Sequence, residues 1–412
     1  MNKIKNIRGM YDIFGEELSR QNFIVDKFSE MMKEHNFLPF CTPIMEYSNI
    51  FSRSLGDSSD IVMKEMYTFL DKSNDSVTLR PEGTAGIARA VISNGLTQNL
   101  PLKLYYNGPM FRYERPQKGR MRQFHQIGVE SYSNDSFFAD LEIIYLANLL
   151  LKKLDIQDLV TLKINTLGDI QSRKQYLKKL INFFLKNKSK LSEDSFKRLE
   201  KNPLRILDSK SEQDKDVIKN APKIYESLNF DSKNYYKSLK ALLSSLNINF
   251  KEDPLLVRGL DYYSHTIFEF IENKGKNHAI LAGGKYDTLI ESLGGPKISG
   301  TGWAAGIERL ESLVKNHTNK KYLTILIPLS ENYVPYCYEI RNKIINKKLK
   351  CELTTNCNLK KSLKYANKMN AKFVIIIGQD EIDNKRLTIK NLIEGKQFLI
   401  KEEELEKYIL NE

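Results

Sequence analysis

Five cations fall within eleven residues, Arg112, Arg115, Lys118, Arg120 and Arg122, between two stretches that read as strands. Residues 104–111 and 124–129 are rich in aromatic and β-branched side chains, and the segment joining them holds Pro116 and Gly119. The pattern predicts an antiparallel hairpin with a basic tip. Clustered like charges cannot be buried without partners, so such a tip must face water or an anion. Arginine forks match phosphate oxygens bidentately and stay charged, which suits a triphosphate. An exposed basic turn is the plainer alternative. Against it stands the returning strand, where Gln126, Gly128 and Glu130 share one face because side chains alternate with a period of two. A Gly between two polar residues on one face leaves room for a ligand.

With 412 residues the chain is expected to hold about three domains, at roughly 150 residues each. Residues 18–32 repeat apolar side chains at helical spacing. From 171 to 250 the texture becomes Lys/Ser/Asn-rich with short amphipathic stretches, as in an inserted helical domain; residues 255–310 return to strands and glycine turns. After a polar linker at 316–321, residues 322–412 alternate βαβαβ, the pattern of a compact α/β module. The net charge of +13 is not evenly spread. Residues 171–250 carry 18 basic and 9 acidic side chains, residues 321–412 carry 17 and 12, and the remaining 240 residues sum to −1. Those two blocks are where a polyanion would be held.

Several chemistries are excluded. There is no P-loop, no dinucleotide fingerprint and no HExxH helix. Cys41, Cys337, Cys351 and Cys357 make neither a disulfide framework nor a zinc site, and buried thiols are expected at Cys351 and Cys357. No apolar run reaches the ~20 residues of a membrane span, and the N-terminus lacks a secretion signal, so a cytoplasmic chain with no membrane partner is expected.

The run FRYERPQKGRMRQFHQIGVE (111–130) closely resembles motif 2 of class II aminoacyl-tRNA synthetases, in its histidyl-tRNA synthetase version. FCTPIME (40–46) resembles motif 1, TLRPEGT (78–84) the amino-acid-binding turn, and GWAAGIER (302–309) motif 3. RGLDYY (258–263) and AGGKY (282–286) resemble the two segments characteristic of the histidine enzymes, and all of them occur in family order. The resemblance implies an α+β core, an antiparallel sheet flanked by helices, with a helical insertion and a C-terminal α/β anticodon-binding domain. The boundaries expected are 1–168 and 253–316 for the core, 169–252 for the insertion and 322–412 for the anticodon domain.

The same resemblance implies a histidine–tRNA ligase. Histidine attacks ATP to give histidyl-adenylate, and the terminal ribose of histidine tRNA then takes the histidyl group, with no covalent enzyme intermediate. Arg112 and Arg258 would meet the α-phosphate from opposite sides and act as the catalytic pair, while Arg120 and Arg309 hold the γ-phosphate. Glu82, Thr84 and Gln126 would bind the histidine amino group, with Arg112 and Arg258 at its carboxylate. Glu130 and Tyr263 would bracket the imidazole, whose two nitrogens demand two partners; Tyr262 and Tyr286 would line the pocket. Arg115 and Gln117 resemble readers of the tRNA acceptor end and its extra 5′ guanosine. Mg²⁺ would bridge the phosphates, with no protein ligand assigned, and motif 1 implies a homodimer; no DNA partner is implied. The basic insertion would clamp the acceptor arm.

Plainer roles stay open at several positions. Tyr262 and Tyr263 could be core aromatics, Glu82 could begin a helix, and Arg309 could pair with Glu308 or Glu311. His125 is expected to pack, and Trp303 to lie in the core. Two rival readings are a non-catalytic synthetase-like paralogue that regulates histidine metabolism or binds RNA, and a basic RNA-binding protein. The first would tend to lose the arginines, and the second would spread charge over the core.

Overall fold

The computed structural model describes residues 4–56, 59–117, 119–133, 137–274, 278–315 and 322–410. Lys118, the linker at 316–321 and the first three residues lie outside the described residues. The chain forms two compact units, divided between His317 and Thr318.

In the first unit α1 (Gly15–Glu34) buries Ile24, Phe28, Met31 and Met32, the 3.6-residue stripe of an amphipathic helix. In chain order follow β1 (Leu38–Pro39), β2 (Met45–Tyr47), α2 (Ser48–Leu55), β3 (Tyr67–Leu70), β4 (Ser76–Leu79) and α3 (Thr84–Ser93). The predicted hairpin is β5 (Leu102–Phe111) and β6 (Gln123–Ser133), and α4 (Phe137–Lys153) and β7 (Val160–Thr166) come next. Four helices then occupy the basic segment: α5 (Ile170–Lys186), α6 (Glu193–Lys201), α7 (Glu212–Lys219) and α8 (Phe230–Ser245). Asp169, Ser192 and Asn229 cap three of them through side-chain oxygens that accept from backbone N–H groups. The chain re-enters the core with β8 (Phe250–Glu252), β9 (Ser264–Glu272), β10 (Ala279–Tyr286), α9 (Leu289–Ser292), β11 (Ser299–Gly306) and α10 (Ile307–Glu311).

Eight strands form one sheet in the order β1-β5-β6-β11-β10-β9-β7-β8, antiparallel except for the outermost pair at each edge. β8, at the end of the basic segment, thus belongs to this sheet. β2, β4 and β3 form a separate small sheet. Trp303 on β11 is 2 % exposed, lies edge-on to Phe28 and donates Nε1–H to the Ile143 carbonyl, so it is a core residue with its polar atom satisfied.

The register of the central strands makes the floor of a cleft. Glu130 faces Gly302, Gly128 faces Ala304 and Gln126 faces Gly306. β11 therefore offers a row of small residues beside the polar row of β6. Gly302 is required there, because a Cβ on it would sit 2.3 Å from the Glu130 carboxylate. Gly128 departs from expectation. The space beside it is filled by the protein's own Tyr106, whose hydroxyl would lie 2.5 Å from an added Cβ; Gly83 accommodates the other edge of the ring. Ala at 128 would overpack this site, and Gly128→Ala is expected to lose about 1–3 kcal/mol in urea unfolding. Tyr106→Leu in the same chain should recover most of that loss.

The second unit holds β12 (Leu323–Pro328), α11 (Val334–Asn346), β13 (Lys350–Leu353), α12 (Leu359–Lys368) and β14 (Phe373–Ile377), with β13-β12-β14 parallel. All five residues of β14 are buried, as a strand covered on both faces requires. Beyond the expected βαβαβ come α13 (Gln379–Asn384), the antiparallel strands β15 (Arg386–Asn391) and β16 (Lys396–Lys401), and α14 (Leu405–Leu410). Among the described residues no helix is long and apolar enough to cross a membrane. All four cysteines are free thiols, but only Cys337 is buried. Cys351 and Cys357 are half-exposed, against expectation, and Cys41 is exposed.

Candidate active site

The basic hairpin tip folds so that its cations part company. Arg112, the residue after β5, donates Nε–H to the Pro81 carbonyl at 2.8 Å and lies over the Phe124 ring. Arg120 pairs with Glu114 at 3.0 Å. Arg122 turns away and stacks 3.7 Å above Tyr113. Arg115 and Gln117 project into solvent. Arg112 and Arg120 line a cleft together with Arg258 and Arg309, which come from the loop before β9 and from α10. Arg258 pairs with Glu269 of β9. Arg309 pairs with neither neighbouring Glu; it donates to the carbonyls of Gly119 and Ala279 at 3.0 and 2.6 Å. Glu308 is hydrogen-bonded by the backbone N–H and the ring Nδ1 of His125, and Glu311 pairs with Arg20, so the His125 ring meets a polar partner rather than only packing.

Convergence of these cations is visible in their electrostatics. Burial, and then the like charges of Arg120 and Arg112, push the Arg309 guanidinium down from its ordinary value. The Nε atoms of Arg120 and Arg258 are buried without a protein partner. Concentrated positive charge with unspent donors is what an oxyanion-rich ligand needs.

Beside the arginines lies a pocket of carboxyls and phenols. Glu82 is 4 % exposed, and its two oxygens accept from the backbone N–H groups of Thr84 and Ala85 at 2.8 Å. It stands just before α3, whose first-turn N–H groups its carboxylate accepts, and it also lines the cleft. Thr84 donates its hydroxyl to Glu130 at 2.6 Å, and the Tyr286 hydroxyl donates to the other Glu130 oxygen. Glu130 is 1 % exposed, and burial raises its carboxyl to about 8. Tyr262 stacks obliquely on Tyr263, with ring centres 4.6 Å apart, and meets Tyr286 edge-on. Tyr263 leans toward the Arg258 guanidinium, so Glu130's direct phenol partner is Tyr286. The Gln126 side-chain oxygen is buried without a partner. Gln126, Tyr262, Tyr263 and Tyr286 all line the same cleft as the four arginines.

Sequence reasoning missed Tyr106, Glu114 and Glu269. The two acids orient Arg120 and Arg258, and nothing in their spacing marks them. Tyr106 has one faint signal, the glycines at 83 and 128 that close on its ring.

Comparison with known proteins gives a family match over both units. The family model described as Histidyl-tRNA synthetase matches residues 9–310, and the Anticodon binding domain model matches 324–412. The chain is 42% identical over 398 residues to a protein named histidine–tRNA ligase from Gluconobacter oxydans, covering 96% of each. It is also 42% identical over 411 residues to the one from Rhodospirillum rubrum, covering 99% of each. Among solved structures, apo histidyl-tRNA synthetase from S. aureus superimposes with a TM-score of 0.80 at 33% identity, over 99% of this chain and 100% of that one.

Proposed function

The chain belongs to the histidyl-tRNA synthetase family and serves as a ligase joining histidine to tRNA, and we propose that the arginine-lined cleft is where ATP activates the amino acid. One observation carries this reading: four guanidinium groups from three distant segments converge beside a pocket lined by Glu82, Thr84, Tyr263 and Tyr286, with Glu130 directly behind Thr84 and Tyr286, whose hydroxyls it accepts. Arg112 and Arg258 face the α-phosphate and spread the charge that builds as the histidine carboxylate attacks phosphorus. Arg120 and Arg309 draw the γ-phosphate back and so fix the direction in which pyrophosphate leaves. Fixed positions let these groups act without reorganising during the step. Glu82, Thr84 and Gln126 receive the amino group.

Mg²⁺ would travel on the phosphates, as such ions usually bind through substrate oxygens and one or two carboxylates. Among the described residues no group of three acidic, His or Cys side chains is placed to hold a metal, and Glu114 is the carboxylate lining the cleft at the Arg120 end. The bound ion would neutralise charge between the phosphates.

Histidine-dependent exchange of pyrophosphate into ATP tests the proposal. Exchange with histidine and none with other amino acids is expected; no exchange would refute it. The regulatory alternative has nothing in its favour, because all four arginines and the anticodon-binding domain are in place.

That domain supports tRNA binding, with unpaired anticodon bases read by their edges and by stacking. Arg115 and Gln117, exposed on the hairpin tip, are proposed to meet the acceptor end. Gln117→Ala is expected to lower the preference for tRNA bearing the extra 5′ guanosine by about tenfold, the size of one or two lost hydrogen bonds. Aminoacylation of transcripts with and without that nucleotide measures it, and an unchanged preference would remove Gln117 from the role.

We also propose a homodimer. Leu38, Ile44, Met45, Tyr47, Phe69 and Leu70 are all exposed around the motif 1 segment and the small sheet, an apolar surface of the kind that marks an interface. Sedimentation should give twice the mass of the chain. A cytoplasmic setting fits the free thiols.

A further inference from the structure

The helical insertion has a second attachment besides any nucleic acid its charge attracts. The loop 258–263 carries Arg258, Tyr262 and Tyr263 into the cleft but lies outside every helix and strand, so no backbone ladder sets its position. Three side chains of the insertion hold it instead. Arg173 on α5 donates Nη1–H groups to the carbonyls of Asp261 and Tyr263, at 3.1 and 3.0 Å. Asn202, just after α6, donates its amide to the Asp261 carboxylate at 2.7 Å. Arg205 reaches the Gly259 carbonyl at 3.3 Å and is anchored by Asp60 at 2.6 Å. Arg198 steadies that arrangement by donating to the Arg205 carbonyl.

The core side of the loop is equally confined. A Cβ on Gly56 would lie 2.4 Å from the Asp261 carboxylate, so the backbone after α2 presses directly against it. Asp261 is thereby gripped between the insertion and the core. It lies between Arg258 and the two tyrosines, so moving it moves the phosphate-binding cation and the imidazole pocket together.

We propose that Arg173, Asn202 and Arg205 are positioning residues for histidine activation, making this step depend on the insertion even when no tRNA is present. The inference rests on the function read for the cleft. It adds to a tRNA-clamping role an effect that clamping alone does not predict. A displacement of about 1 Å at reacting groups can cost on the order of 10²-fold in rate, so hydrogen bonds remote from the chemistry suffice to produce it.

The test compares Asn202→Ala, Arg205→Ala and Arg205→Lys with the unaltered full-length chain. Three quantities are measured: tRNA-free pyrophosphate exchange, melting temperature, and hydrogen exchange of the amides at 256–264. Asn202→Ala and Arg205→Ala should raise the histidine KM at least about tenfold and speed amide exchange in the loop, with melting little changed. Arg205→Lys, which keeps the charge for Asp60 but loses the fork, should fall between. Unchanged histidine KM and loop protection, or a defect seen only when tRNA is added, would overturn the proposal. If Arg205→Ala fails to fold, Asn202→Ala carries the test, because it removes one neutral amide. Absence of exchange in the unaltered chain would count against the function itself, and loop protection would still report on the positioning.

Discussion

Arg258→Ala is expected to slow histidine-dependent pyrophosphate exchange by about 10²–10³-fold, the usual effect of deleting one fixed donor aimed at developing oxyanion charge. The guanidinium supplies two things at once. It faces the proposed α-phosphate site with a buried Nε that has no protein partner, and it neutralises Glu269. Losing it leaves Glu269 as a half-buried carboxylate without its cation, so stability should fall by about 1–3 kcal/mol as well. The double variant Arg258→Ala/Glu269→Gln separates the two effects. It should regain most of the stability and none of the rate. Recovery of exchange in that double variant would mean that Arg258 serves the fold and not the chemistry.

Glu130→Ala is expected to raise the histidine KM by about 10²-fold or more, because a site built around hydrogen bonds discriminates strongly once a partner is missing. The Thr84 and Tyr286 hydroxyls, which now point at Glu130, would also be left without their acceptor. A pH signature accompanies the same residue. Burial raises the Glu130 carboxyl from 4.5 to about 8 in the folded chain, so the folded state keeps a proton that the unfolded state releases. Its contribution to stability is therefore full below pH about 4.5 and is lost progressively up to about pH 8. Glu130→Gln cannot titrate. Over that window its stability should decline less steeply than that of the unaltered chain, by on the order of a few kcal/mol, in urea titrations at a series of pH values. Identical slopes would show that Glu130 is ionised in the empty pocket.

What could be read in advance was whatever leaves a local trace. The hairpin was legible because five cations between two apolar strands admit few arrangements, and β14 because five apolar residues in a row need cover on both faces. Gln126 and Glu130 followed from strand alternation. Alternation could not say what stands opposite, and at Gly128 the neighbour is Tyr106, not a ligand. The partners of the charged groups were hidden for the same reason. His125 and Glu308 are 183 residues apart, and Thr84 and Glu130 are 46 apart; they meet where α10 and α3 set Glu308 and Thr84 against residues of β6, and no periodicity records it. The grip of the insertion on Asp261 is of this kind too. Composition showed only that the insertion is basic, while Arg173 and Arg205 are turned toward carbonyls of the core.

A crystal structure of the chain with histidine and a non-hydrolysable ATP analogue reads the central claim directly. The α-phosphate is expected between the Arg112 and Arg258 guanidinium groups, the terminal phosphate against Arg120 and Arg309, and the imidazole seated toward Glu130. A nucleotide bound away from those four side chains, or an imidazole directed out of the Glu130 pocket, would contradict it.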